Sequence, residues 1–276
     1  MTFNSAEIST QDGRPISLYL LEWGETEWCY TSADRDITYG INNKGQPRVY
    51  TAAAVSDDGM VQGGSSQNDF TLNAPANIPI VDLFRGTPPS ETIWLTVRRM
   101  HYGEPDAPIY WNGTVNNVKR TDDASAQIIG KPLTASFKRT GLRLCWTREC
   151  PHFLYDAGCK VNPETYRVNA IITGKTGNTI TVNTISSKPD AYFNGGFVSW
   201  EVNDDGTIER RMIEAQAGTL LTIFGVTDRM EIGDTVKLYP GCDRSPQTCK
   251  DKFNNLANSG DFHFMPGESP FGTIIF

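Results

Sequence analysis

Short runs of β-branched and aromatic residues, separated by turn-forming residues, dominate the first half of the chain. One such run follows the turn Asp12-Gly13-Arg14-Pro15, and another follows a Gly-Gln-Pro turn, which is typical of strands that begin after a chain reversal. A shorter apolar segment, Pro79–Phe84, fits a helix and a strand equally well. The runs predicted to form strands in this half are Ile16–Trp23, Arg48–Val55, Ile93–Val97 and Ile109–Val115.

A second block of predicted strands extends from Tyr166 to Tyr239. Within it, Lys175-Thr176-Gly177-Asn178 and Asn203-Asp204-Asp205-Gly206 each lie between two apolar runs, and Gly at such a position is typical of a β-hairpin. The strands are short and closely spaced, which predicts a small barrel or sandwich. No alternation of strands with long helices is present, so a Rossmann-like parallel sheet is not expected.

One helix is predicted near the end of the chain. Ser245 is a favourable capping residue, and Pro246 follows it at the first helical position, where its missing N–H does no harm. Cys249, Phe253 and Leu256 have the spacing of residues on one helix face. We expect this helix to hold Cys249 against an apolar surface.

Together these patterns predict an all-β chain with two barrel-like or sandwich-like domains, residues 1–140 and residues 141–276. The formal net charge of −7 argues against a general nucleic-acid-binding protein, which requires a basic face. No apolar run approaches the roughly 20 residues that a membrane-spanning helix needs. Met1–Ser9 lacks the basic and apolar regions of an export signal. We therefore expect a chain without a membrane anchor that is made in the cytoplasm.

Four cysteines form two pairs, one on each side of the second strand block. Cys150 and Cys159 have the spacing C-x8-C, and Cys242 and Cys249 have the spacing C-x6-C. Four thiolates brought together from two loops can bind one zinc ion or an iron–sulfur cluster. Both spacings are wider than those of common zinc ribbons, which favours the bulkier cluster. Zinc, disulfide bonds and unliganded thiols remain open alternatives at this point.

Three further residues are candidates for the same chemistry. Cys145 is an alternative ligand, and His152 either replaces a thiol in a Cys3His zinc site or packs beside the cysteines. Cys29 is predicted to be a packed small hydrophobic residue. Cys150 and His152 also have the residue types of a nucleophile and its base, but no residue that would orient the imidazole can be assigned. We therefore predict that the protein is not an enzyme.

The cysteine segments resemble a known family. The residues that carry the resemblance are Cys150-Pro-His-Phe-Leu-Tyr-Asp-Ala-Gly-Cys159, the segment from Tyr239 to Asn258 that begins Tyr-Pro-Gly-Cys-Asp-Arg-Ser-Pro-Gln-Thr-Cys, and Phe262-His-Phe-Met-Pro-Gly267. In order and spacing they resemble the tail-tip hub family of long-tailed phages, which includes the iron–sulfur minor tail protein of lambda-type phages and the hub protein of gene transfer agents. The first 140 residues resemble the family only in being rich in strands and in beginning with a short polar leader.

The resemblance implies a structural role. It makes Cys150, Cys159, Cys242 and Cys249 the ligands of a structural 4Fe–4S cluster, with zinc as the alternative. It implies a homotrimeric baseplate hub in the virion that joins the distal tail protein to the tip attachment or central fibre protein, next to the tape-measure protein. DNA is then only passing cargo. The rival interpretations are a soluble iron–sulfur redox protein and a binding module stapled by zinc or disulfides.

Overall fold

The computed structural model describes residues 3–9, 13–59, 69–138, 141, 147–202, 206–262 and 264–265. The chain divides into two compact units. The first unit groups residues 1–139 with residues 201–209, and the second groups residues 140–200 with residues 210–276. Among the described residues, no helix has the length and apolar character needed to cross a membrane.

The described part of the first unit forms one nine-stranded sheet with the order β3-β4-β2-β1-β7-β8-β9-β6-β5. Adjacent strands are antiparallel except β2 and β4, which pair in parallel. Its strands are β1 (Pro15–Trp23), β2 (Thr26–Thr31), β3 (Ile37–Ile41), β4 (Pro47–Ala52), β5 (Ser56–Asp57), β6 (Phe70–Pro75), β7 (Trp94–His101), β8 (Ile109–Arg120) and β9 (Ser125–Pro132). The helical segments are α1 (Phe3–Ile8), α2 (Pro79–Leu83) and the 3₁₀ helix Leu133–Lys138.

Strand β1 is the most deeply buried strand of this sheet, because both of its faces are covered. Leu18 and Leu20 pack on one side with Tyr50 and Met100. Tyr19, Leu21 and Trp23 point the other way, into the main apolar cluster of the unit. A strand buried on both faces reads as a continuous apolar run, which is why the sequence Ile-Ser-Leu-Tyr-Leu-Leu lacks a polar face.

The second unit contains a closed six-stranded barrel with the order β10-β11-β14-β13-β12-β15. Side chains that alternate along the strands fill its interior, and Ile172, Ile180, Leu221 and Val236 are fully buried there. Gly177, with a φ of +58°, closes the β10–β11 hairpin that the sequence predicted. The strands are β10 (Val168–Thr176), β11 (Thr179–Val182), β12 (Phe197–Glu201), β13 (Ile208–Ala217), β14 (Leu220–Ile223) and β15 (Thr235–Tyr239).

The prediction of a mainly β chain is confirmed, and so is a barrel in the second strand block. The first unit differs from the expected barrel or sandwich, because its strands form one sheet whose order ends at β3 and β5. The segment Pro79–Phe84, which fitted two structures, forms α2, with Ile80 and Val81 buried.

The C-terminal helix is present, but it ends before Phe253 and Leu256, which were predicted to lie on its apolar face. It is α4 (Pro246–Asp251), and α3 (Pro163–Tyr166) is the other α-helix of the second unit's described part. Asn254 adopts a φ of +48°, a left-handed conformation that commonly ends helices. The 3₁₀ helix Leu256–Asn258 follows, so Phe253 is buried whereas Leu256 is 41 % exposed. The helix ends early because the chain reverses at Asn254.

Candidate functional site

The four cysteines of the two sequence pairs line the same cavity. Cys150, Cys159, Cys242 and Cys249 all contribute to its wall, and its volume is about 130 Å³. All four are free thiols; Cys159 and Cys249 are buried, and Cys150 and Cys242 are partly exposed. The two loops flank the barrel in sequence and meet here in space. The four residues predicted as ligands therefore line one cavity of the second unit.

Asp156 organises the loop between Cys150 and Cys159. Its Oδ1 accepts hydrogen bonds from the backbone N–H groups of Gly158 at 2.8 Å and Cys159 at 2.6 Å, and its Oδ2 accepts one from Phe153 N–H at 2.9 Å. Burial acts to raise the pKa of Asp156, but these backbone donors outweigh burial and lower the pKa. One carboxylate thus fixes the turn that presents Cys159 to the cavity.

The approach to Cys242 depends on two glycines. A Cβ on Gly241 would overlap the carbonyl oxygen of Asn194 and the backbone of Gly196, and a Cβ on Gly196 would overlap the carbonyl of Tyr239. Only glycine permits backbones to lie this close. This close approach sets the path by which the chain leaves β15 and enters the second cysteine loop.

Asp243 and Ser245 shape the loop between Cys242 and Cys249. Asp243 Oδ1 accepts hydrogen bonds from the N–H of Ser245 at 2.9 Å and from its hydroxyl at 2.7 Å. Ser245 Oγ in turn accepts from Thr248 N–H at 3.1 Å, so Ser245 is the N-cap predicted from the sequence. The Cys249 N–H donates to the Ser245 carbonyl at 3.1 Å. Cys249 therefore occupies a fixed position on the short helix α4.

Direct contacts join the two loops. The Cys150 N–H donates to the Arg244 carbonyl at 3.1 Å, and the Tyr155 hydroxyl donates to the Pro240 carbonyl at 2.8 Å. The Arg244 guanidinium lies over the ring of Phe153, 5.2 Å from its centroid, which is within the range of a cation–π interaction. The cavity thus has a wall that is continuous between the loops.

His152 lies between two glycines at the edge of the cavity. A Cβ on Gly158 or on Gly260 would collide with its imidazole, so the ring fills the space that these residues leave. His152 also contributes to the cavity wall. Cys145, the other alternative ligand, lies outside the described residues. Cys29 belongs to the first unit, where it packs against the cluster around Leu18 and Leu20.

The thiols and their neighbours determine what the cavity can bind. Burial is the main cause that raises the pKa of Cys242 and of Cys249, so both thiols are protonated at neutral pH and a bound metal must displace their protons. Arg244 N–H lies 3.3 Å from Cys242 Sγ as a donor. The buried Ser259 hydroxyl also belongs to the cavity wall, beside the thiol of Cys249. Within the described residues, no three His, Cys, Asp or Glu side chains converge closely enough to hold one ion.

Sequence reasoning identified the cysteines but missed the residues that arrange them. Asp156 and Asp243 both precede a Gly or Ser in turn-forming sequences, Asp-Ala-Gly and Asp-Arg-Ser, and that pattern could have identified them. Lys252 and Asn255, which reach the two loops from the end of α4, have no comparable local pattern.

Comparisons with known proteins agree with the resemblance stated above. Residues 191–269 match a family model described as "Phage conserved hypothetical protein BR0599", a range that includes Cys242 and Cys249. The fold is similar to that of a chain in the "Virion of native gene transfer agent (GTA) particle", with a TM-score of 0.73 and 18 % identity over 97 % of this chain and 93 % of that chain. No curated protein sequence matches. The resemblance to phage and gene-transfer-agent proteins is thus confirmed, whereas the resemblance to an iron–sulfur tail protein stays a prediction.

Proposed function

We propose that this chain is a structural subunit of a phage-type virion, located at the tail tip, and that its four cysteines hold a structural 4Fe–4S cluster. The observation that carries the cluster proposal is that Cys150, Cys159, Cys242 and Cys249 line one cavity. A cluster bound there would supply a rigid crosslink between the segment before the barrel and the segment after it.

The size and polarity of the cavity support a group larger than one ion. An engineered cavity of about 150 Å³ binds benzene, so a volume of about 130 Å³ leaves room for several heavy atoms. Iron–sulfur clusters also accept hydrogen bonds at sulfur. The Arg244 N–H and the buried Ser259 hydroxyl are donors suited to that role.

Metal and sulfide analysis tests the cluster. Protein purified without oxygen is expected to be brown and to contain iron and acid-labile sulfide in equal amounts, about four of each per chain, as the formula of the cluster requires. Stoichiometric zinc in a colourless protein would instead favour the zinc-stapled module. Thiols that become titratable only after reduction would favour disulfides.

A place in a virion is supported by the similarity to the gene transfer agent chain, which covers 97 % of this chain and 93 % of that chain. The position at the tail tip is our proposal and rests on the resemblance of the cysteine segments to the hub family. A hub at the tail axis would be a homotrimer, because a closed ring around an axis needs rotational symmetry. Its partners would be the distal tail protein on one side and the tip attachment or central fibre protein on the other, next to the tape-measure protein. In this role the chain performs no catalysis, and DNA only passes through.

Labelling of intact particles tests this assignment. An antibody against the chain, imaged by electron microscopy, is expected to mark one end of the tail, and native mass spectrometry of the tip complex is expected to give three copies. Label along the whole tail or on the head would contradict the hub. Steady electron transfer by the isolated, iron-loaded protein would favour the redox alternative.

A further inference from the structure

Two residues that follow helix α4 reach the two cysteine loops from one short stretch of chain. Because Asn254 is left-handed, the backbone reverses there, and Asn255 N–H donates to the Cys249 carbonyl at 3.0 Å. This reversal turns the Asn255 side chain toward the first cysteine loop. Lys252, at the C-terminal end of α4, points toward the second loop.

The Asn255 amide contacts Cys159 through its nitrogen. Nδ2 donates to the Cys159 carbonyl at 2.6 Å and lies 3.8 Å from Cys159 Sγ. Its Oδ1 accepts from Asn258 Nδ2 at 2.7 Å. Cys159 offers only acceptors, its carbonyl oxygen and its sulfur, and Asn258 offers an N–H donor. Only one orientation of the Asn255 amide satisfies both residues, and in it Nδ2 faces Cys159.

Lys252 makes hydrogen bonds to the backbone next to Cys242, as Asn255 does to Cys159. Its half-buried ammonium donates to the carbonyls of Tyr192 at 2.5 Å and of Gly241 at 2.7 Å, and it lies 4.4 Å from the centre of the Tyr192 ring. Gly241 directly precedes Cys242. Lys252 therefore holds the backbone from which Cys242 projects.

We infer that Asn255 and Lys252 are positioning residues of the cysteine site, and that Asn255 also acts on a bound cluster through the sulfur of Cys159. The inference rests on the proposed cluster. Groups around metal ligands orient them, and their loss typically lowers metal affinity by about 10–100-fold. A hydrogen bond to a ligand sulfur and a nearby positive charge both favour the reduced cluster, which carries one more negative charge.

The test compares variants that change these groups without removing a ligand. Asn255→Asp keeps the size of the side chain but sets a carboxylate against the Cys159 carbonyl and sulfur. Asn255→Ala removes the donor to Cys159 and the acceptor of Asn258 without adding a charge. Lys252→Met removes the ammonium. The matched controls are Asn169→Asp on the exposed side of β10 and Lys250→Met on the exposed side of α4.

Iron release to a chelator and the reduction potential of the cluster are measured for each protein. We expect release to be about tenfold faster in Asn255→Asp and Lys252→Met than in their controls. The potential is expected to fall in the order wild type, Asn255→Ala, Asn255→Asp, an order that loosened packing alone would not produce. Circular dichroism of each full-length variant, compared with wild type, identifies misfolding of the Asp variant, and the Ala variant provides a second test of the same contact.

Two negative results have different meanings. If wild-type protein prepared without oxygen binds no iron, the proposed cluster is wrong and this inference falls with it. If wild type binds iron but the Asn255 and Lys252 variants match their controls in release and potential, the cluster stands and the inference is overturned.

Discussion

The centre of the nine-stranded sheet and the cysteine region of the second unit differ in what fills their interiors. Around β1, large apolar side chains such as Trp23, Tyr19 and Leu95 are almost completely buried in one continuous cluster. In the cysteine region the buried apolar residues of the local cluster are Cys159, Val161 and Phe253. Hydrogen bonds that the Asp156 and Asp243 carboxylates accept, together with those of the turn after α4, supply the remaining order.

This difference separates two sources of stability. Apolar burial is proportional to the area removed from water and requires no ligand. A region with few buried apolar side chains needs crosslinks or bound metal to stay ordered, as small metal-binding domains do. We therefore expect the stability of the sheet not to change when iron is removed or an oxidant is added. The cysteine region should lose stability under both treatments.

Loss of a ligand is expected to have the largest effect. Cys159→Ser should abolish most iron binding and release the long loop between Cys159 and Cys242, whose closure is worth about 4–5 kcal/mol for a comparable covalent link. Amide exchange should increase in residues 245–258, because a helix as short as α4 does not persist alone. Cys29→Ser in the sheet is the control. If Cys145→Ser abolishes iron binding as completely, the choice of four ligands is wrong.

A substitution that leaves a cavity in the core of the sheet should lower the stability of the fold without lowering iron binding. Leu95 is fully buried in the main cluster, so Leu95→Ala is expected to lower the free energy of unfolding by about 2–5 kcal/mol. Urea unfolding measures this loss, and the iron content of the folded protein should not change. Loss of iron from folded Leu95→Ala would show that the two regions are not independent.

Acid should affect the cysteine region through Asp156. Its pKa is lowered in the folded protein, so it stabilises the fold at pH values above the unfolded value of about 3.9 and loses that effect as pH falls through the folded pKa. The difference in urea midpoint between wild type and Asp156→Asn should therefore be largest near neutral pH and shrink in acid. Asp228→Asn, at an exposed position of the same unit, is the control. A difference that does not vary with pH would contradict this role.

The smallest expected effect is at the helix cap. Ser245→Ala removes the hydrogen bond from Thr248 N–H and should destabilise the cysteine region by about 1 kcal/mol. Amide exchange measures this loss of stability, and we expect exchange to become faster in α4 and to stay unchanged in β1. Ser187→Ala, at an exposed position that caps no helix, should have no effect. Equal exchange in α4 of both variants would mean that the bound cysteines, rather than the cap, hold this helix.

Structural features that depend on residues close together in sequence could be predicted from the sequence. The β10–β11 hairpin depends on Gly177 and on alternation within a few residues, and the start of α4 depends on Ser245 and the Pro that follows it. The two cysteine pairs, with the residues around them, also predicted which side chains matter. In each case the interactions that decide the structure lie within about one turn or one hairpin.

Only the tertiary structure decided which distant segments meet. Alternation predicts that a run is a strand but not which strand it pairs with, so the parallel pairing of β2 with β4 could not be read from the pattern. The same limit applies to the site. Asn255 contacts Cys159 only because Asn254 ends α4 and reverses the chain. Such contacts depend on the packing of residues far apart in sequence, and no local periodicity records that packing.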